Sequence, residues 1–201
     1  MTDQERGPGG RAALLQRAVD HFAEHGIGDT SLRALAESIG TSHRMLLYHF
    51  GSREGLLAAV VENVEVAARA SLAEQRADAE PADDPVAQTM RFWATISARA
   101  LVYGPLFFEL TSHAMQGRPH AETLRDQLVD PWLGPATEDA VAAGVPPEIA
   151  RRRARLDLAV VRGLLHDLLL TGDREGVDAA MREYAQAVVA PRTGSRGVAS
   201  T

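Results

Sequence analysis

Ser42, His43, Arg44, Met45, Tyr48 and His49 crowd into "TSHRMLLYHF", residues 41–50. Their chemistry is recognition. An arginine guanidinium is a fork of donors that fits the paired acceptors of a guanine edge, and methionine and tyrosine can touch a thymine methyl. Ser31, Ser42 and Ser52 each stand where a helix would start, and free amides at a helix start suit phosphate. No Gly-rich phosphate loop, His-Glu-x-x-His pair or Gly-x-Ser-x-Gly elbow occurs. No catalytic residue, cofactor or metal is therefore expected, and the chain does not read as an enzyme.

Such groups must be held in place. The run 43–50 makes a helix of about two turns, which is marginal alone. Leu46 and Phe50, four apart, can pack on the face made by Leu35 and Ile39. That anchors the short helix and leaves Ser42, His43, Arg44, Met45 and Tyr48 on or near its outer side. A tight "GTS" turn between two short helices is a helix-turn-helix signature, whose second helix enters the major groove of DNA. Ser52 then opens another helix that can grip the backbone beside the reading helix.

The rest of the chain frames this unit. Its 201 residues can bury a core, there is no cysteine for a disulfide or thiolate site, and the net charge is −6. All basic residues are arginine; residues 1–55 carry six of them against seven acids, so non-specific attraction to DNA should be weak and salt-sensitive. No apolar run reaches membrane-spanning length and "MTDQERGPGG" has no apolar signal-peptide core, so a cytoplasmic protein is expected.

Apolar residues recur at helical spacing nearly throughout, which predicts an all-α fold of nine helices. The first carries Leu15, Val19 and Phe22 and ends near Gly26; the second carries Leu32, Leu35, Ala36 and Ile39. The fourth runs from Ser52 to about Ala79. Asp84-Pro85 opens the fifth, and Gly104-Pro105 is expected to separate it from the sixth. The seventh, 120–143, is expected to bend or split at Pro131 and at Gly134-Pro135. The eighth runs from Pro146-Pro147 to Thr171, and the ninth from Asp173 to before Pro191. Residues 1–10 and 191–201 read as loose ends.

At "TSLRALAESIGTSHRMLLYHFGSREGLL", Thr30 to Leu57, the sequence resembles the TetR family of bacterial transcriptional repressors. The resemblance implies a DNA-binding domain over 1–55 and a helical ligand-binding and dimerisation domain over 56–201. It implies a homodimer that reads a palindromic double-stranded operator and is released by a small molecule. Carried over by position, Arg33 can reach a base or phosphate, while His43, Arg44 and Met45 occupy the base-reading positions. Tyr48 and His49 match an aromatic-His pair near the backbone, and Arg53 a basic residue that touches phosphate. Leu47 stands where the family usually has a phosphate-touching tyrosine, a contact leucine cannot make. Two other readings remain open: an effector-free DNA-binding protein of this fold, and a small-molecule-binding or catalytic bundle with a vestigial helix-turn-helix.

The C-terminal region offers a pocket and an interface. "FWATISARALVYGPLFFEL", 92–110, is the most aromatic segment; it is either ordinary core or a pocket wall between helices. Candidate ligand contacts are Trp93, Ile96, Phe107, Thr111, Met115, Trp132, Arg162 and His166. Arg162 and His166 share one side of an apolar helix, so either acids such as Glu109 or Asp167 satisfy them or a ligand does. The expected effector is mostly apolar or aromatic, with a carboxylate or carbonyl for Arg162. "LDLAVVRGLLHDLLLTGD", 156–173, is apolar on more than one side and should be buried. Leu156, Val160, Gly163 and Leu164, with Val177, Met181 and Tyr184, suit a two-fold four-helix interface. His21 and His25 have metal-ligand spacing without a third ligand, and "RRRAR", 151–155, reads as a solvated helix start.

Overall fold

The computed structural model describes residues 10–26, 28, 30–78 and 84–188. The ends expected to be loose lie outside these residues, apart from Gly10. Among the described residues there are nine α-helices, one short 3-10 turn and no strand. They are α1 (Arg11–His25), α2 (Leu32–Ser38), α3 (His43–Phe50), α4 (Arg53–Ala77), α5 (Pro85–Met115), α6 (Glu122–Leu128), α7 (Asp130–Ala142), α8 (Pro147–Thr171) and α9 (Arg174–Val188). The 3-10 turn, Pro119–Ala121, leads into α6. At 1.5 Å per residue, α4 is a rod of ~38 Å.

The total of nine helices matches expectation, but the division differs. α5 runs unbroken through Gly104-Pro105. A proline inside a helix removes one hydrogen bond; here tertiary packing holds the helix on both sides of it. A Cβ on Gly104 would lie 2.5 Å from Leu169 Cδ1, so the glycine lets α8 approach. The break expected in 120–143 near Pro131 falls at Val129, between α6 and α7, and none falls at Gly134-Pro135. Pro131 sits in the first turn of α7, where a missing N–H costs nothing, and Pro135 lies inside the helix without ending it.

Among the described residues, two hydrophobic clusters hold the helices together. The larger joins Leu14, Ala18 and Phe22 of α1 to Leu35, Leu46, Phe50 and the Leu56–Val61 stretch of α4. It continues into Tyr103, Leu106 and Leu110 of α5 and Leu124 and Leu128 of α6. The smaller is Trp93, Ile96, Leu168, Val177 and Met181, where α5, α8 and α9 meet. α4 is thus core to the N-terminal helices at one end and leads away from them at the other.

Candidate nucleic-acid interface and ligand cavity

The short helices are positioned by caps and by one anchor. Ser31 Oγ accepts from Ala34 N (3.2 Å), Ser42 Oγ from Met45 N (3.2 Å) and Ser52 Oγ from Gly55 N (3.0 Å). Gly40, at φ +66°, turns the chain out of α2, and Thr41 N donates back to the Ala36 carbonyl at 2.8 Å. Leu46 is fully buried against the α2 face. That burial contributes about 1.5–3 kcal/mol, enough to hold a helix too short to hold itself. Only two residues need separate α3 from α4 because residue 55 is glycine. A Cβ there would sit 2.2 Å from the Phe50 carbonyl oxygen.

The outer side of this unit carries Arg33, Arg44 and Tyr48, all exposed, Tyr48 to 79%. Ser31 and Ser42 are exposed and spend one oxygen each on their caps. His43 is half-buried, as is His49, whose ring meets Tyr48 edge-on at 4.9 Å. Met45 packs partly against the core, so only part of it faces outward. Arg53 turns back on the protein. Its Nε donates to the Thr30 carbonyl (3.0 Å) and its Nη2 to that of Gly28 (3.2 Å), tying the start of α4 to the segment before α2.

Farther along α4 a cavity of about 400 Å³ opens, walled by α4, α5, α7, α8 and α9. Of the residues expected at a ligand site, Ile96, Phe107, Trp132 and Arg162 line it. The other four do not. Trp93 is buried in the smaller cluster and donates its Nε1–H to Asp178 at 2.6 Å. Thr111 Oγ1 donates to the Phe107 carbonyl within its own helix. Met115, at the end of α5, is 76% exposed. His166 is exposed, its ring against Phe108 at 5.0 Å, because four residues turn a helix by 40° beyond a full circle, at about 100° per residue.

The partner of Arg162 is neither Glu109 nor Asp167. It is Glu65 of α4, at 3.6 Å, together with the Leu128 carbonyl, and the guanidinium lies 5.4 Å over the Phe107 ring. Glu65 also accepts from Trp132 Nε1 at 2.8 Å. Burial pushes the Glu65 carboxyl up, against the Trp132 hydrogen bond and the nearby arginines. Burial likewise pushes Arg162 down, with Glu65 opposing. Asp157 is raised by burial and accepts from the Tyr184 hydroxyl, which burial and Asp157 raise in turn. Glu65, Tyr103 and Asp157 are cavity residues that sequence reasoning did not single out. For Glu65 a signal existed: it lies on the stripe between buried Val61 and Ala68, where an acid needs a partner.

The expected interface set divides as well. Leu156 of α8 is 62% exposed, Val160 and Leu164 are half-buried, and a Cβ on Gly163 would meet nothing within 4 Å. The outer face of α8 is therefore uncovered in the single chain, although its composition predicts burial. Val177 and Met181 correct the expectation: both are buried within the subunit, and Met181 and Tyr184 line the cavity. The apolar stripe of α9 packs against α5 and α8 within the subunit. His21 and His25 stack at 4.6 Å on α1, and no group of three or more metal-ligating side chains occurs among the described residues. Arg151, Arg152, Arg153 and Arg155 are exposed, with Arg151 2.9 Å from Asp130. No helix among the described residues is long and apolar enough to cross a membrane.

Residues 14–60 match the profile of the tetR family of bacterial regulatory proteins. The HTH-type transcriptional regulatory protein RaaS of Mycobacterium tuberculosis is 32% identical over 184 residues, covering 90% of this chain and 81% of that protein. A transcriptional regulator from Rhodococcus sp. Rha1 has a similar fold, with a TM-score of 0.63, 21% identity, and 89% and 95% of the two chains covered. So does a TetR variant from Acinetobacter baumannii solved in complex with minocycline, with a TM-score of 0.56, 20% identity, and 89% and 93% covered. The capped recognition helix, the all-helical body and a relative aligned along most of both chains agree: this chain is a transcriptional regulator of the tetR family.

Proposed function

We propose that the protein is a homodimeric repressor that reads a palindromic operator and leaves it when a small molecule enters the cavity. Residues 1–55 would be the DNA-reading unit and 56–201 the ligand-binding and dimerisation unit, acting in the cytoplasm as a regulator and not as a catalyst. Arg44 would read a base, with His43, Met45 and Tyr48 beside it and Arg33 and His49 near the backbone. The amide ends at Ser31 and Ser42 would meet phosphate. Arg53, already bonded to Thr30 and Gly28, would act mainly by bracing that surface.

One observation carries this reading. The α4 rod is core to the DNA-reading helices through Leu56–Val61 and wall to the cavity through Val64, Glu65, Ala68 and Leu72. A second link runs from Tyr103 of the cavity wall, whose hydroxyl donates to the Val19 carbonyl of α1 at 2.9 Å. A guest that favours one position of α4 over another would change the separation of two recognition helices from the ~34–36 Å of successive major grooves. The TetR variant of related fold holds minocycline. An effector-free protein would have a filled body, which a cavity of about 400 Å³ argues against.

The test has two steps. Selection from random duplex DNA should yield a two-fold site bound by a dimer. Compounds found to occupy the cavity should then weaken binding to that site. Occupancy with operator affinity unchanged would end the repressor-release reading.

A further inference from the structure

Arg99 of α5 lines the cavity, and its Nη1 is buried with no hydrogen-bond partner. No hydrogen bond or ion pair joins it to the other described residues. The other arginines of the lining differ. Arg162 has Glu65 and the Leu128 carbonyl, Arg76 has Asp139 at 3.0 Å, and Arg91 is also engaged. The lining holds four arginines (76, 91, 99, 162) against two acids, Glu65 and Asp157. Both acids already accept a hydrogen bond, from Trp132 and Tyr184. What the cavity offers at Arg99 is a half-buried guanidinium whose donors no other described residue engages, on a wall where both carboxylates are already taken.

We infer that the cavity takes an anionic guest, an aromatic or apolar body bearing one carboxylate or sulfonate that Arg99 holds. The guanidinium fork suits the two oxygens of such a group. Phe92, Ile96, Phe107 and Phe108 line the same space and receive the apolar body. The anion would sit one helical turn from Tyr103, beside the hydrogen bond that ties α5 to Val19 of α1. The inference rests on the cavity being a ligand site and names the chemistry of its occupant. It moves the anionic contact from Arg162, whose Nη2 the protein itself engages and whose charge Glu65 answers, to Arg99.

Two dyes with the same rings test it: anilinonaphthalene sulfonate, an anion, and phenylnaphthylamine, its neutral counterpart. Each is titrated by its own fluorescence and by quenching of the tryptophan emission, to which Trp132 of the cavity wall contributes beside buried Trp93. The proteins are the wild type, Arg99→Gln, Arg99→Lys and, as a surface control, Arg118→Gln. The wild type and the control should prefer the anionic dye by roughly tenfold or more, the scale of one charge-assisted hydrogen bond. Arg99→Gln should lose that preference, bind the neutral dye as before and melt no lower than the wild type, since the guanidinium makes no hydrogen bond or ion pair to the other described residues that could be lost. Arg99→Lys should keep part of the preference. Equal binding of both dyes by the wild type would overturn the inference and leave the ligand cavity standing. So would an undiminished preference in Arg99→Gln, or a wild-type preference for the neutral dye. Failure of both dyes to quench the tryptophan emission would overturn the ligand-cavity reading, and this inference with it.

Discussion

The two ends of α4 are built on opposite terms. At the N-terminal end, Leu14, Leu35, Leu46, Leu56 and Val60 fill a continuous core, and the charged side chains of the reading face point outward. At the other end Glu65, Arg99, Asp157 and Arg162 turn inward around an open space. A close-packed core resists deformation and holds a surface at fixed geometry. A cavity with charges in its wall is where an arriving molecule can alter the balance. The DNA-reading end therefore depends on steric fit, and the body depends on electrostatics. Substitutions should separate the two.

The largest effect is expected at Gly55. Gly55→Val would force a side chain against the Phe50 carbonyl, now 2.2 Å from a Cβ. That strain should exceed about 3 kcal/mol, lower the melting temperature and abolish operator binding. A normal melt with normal DNA binding would mean that α3 and α4 do not need their close approach.

Arg162→Ala probes the electrostatic end. It leaves Glu65 without its cation and should cost about 3 kcal/mol. Thermal melts, operator affinity and effector response are to be measured on this one variant. If stability falls and the effector response is unchanged, Arg162 is part of the packing and does not touch the ligand.

Gly163→Leu concerns the uncovered face of α8. Because nothing lies within 4 Å of a Cβ there, the isolated subunit should tolerate leucine. A proposed dimer through this face should weaken by about tenfold or more, a cost of roughly 1.4 kcal/mol. Sedimentation decides: an unchanged dimer would place the interface elsewhere.

Arg44→Ala should cost ~1–3 kcal/mol on the selected operator and relax one base pair per half-site. Its melting temperature should not move, since Arg44 is exposed. Retention of both affinity and site preference would remove α3 from the groove.

The smallest effect is expected at Asp157. Burial raises its carboxyl in the folded state, so its contribution is fully present below the unfolded value and is lost as pH rises through the folded one. Asp157→Asn removes that loss and keeps an acceptor for Tyr184. Between about pH 3 and about pH 7 the variant should gain on the wild type, by a few °C at most, on the order of 1–3 °C. A gain in the opposite direction would mean that the Asp157 carboxylate is stabilised where it lies.

Local chemistry made the DNA-reading half legible from the sequence. The Ser31, Ser42 and Ser52 caps act within three residues of themselves, Gly40 ends α2 one residue after its cap, and Leu46 and Phe50 meet α2 over fewer than twenty positions. Period, caps and turn residues are short-range signals, so the helical class and the helix-turn-helix could be read directly. Tertiary packing decided the rest. It carried α5 through Pro105 because Gly104 admits Leu169. It turned Val177 and Met181 inward because α9 has to cover α5 and α8. It paired Arg162 with Glu65, 97 positions away, over acids closer in the chain. It put Arg99 on the cavity wall with its Nη1 buried and without a partner. Pairing between distant charges and the place of a cavity depend on which helices meet, and residue spacing along the chain does not encode that.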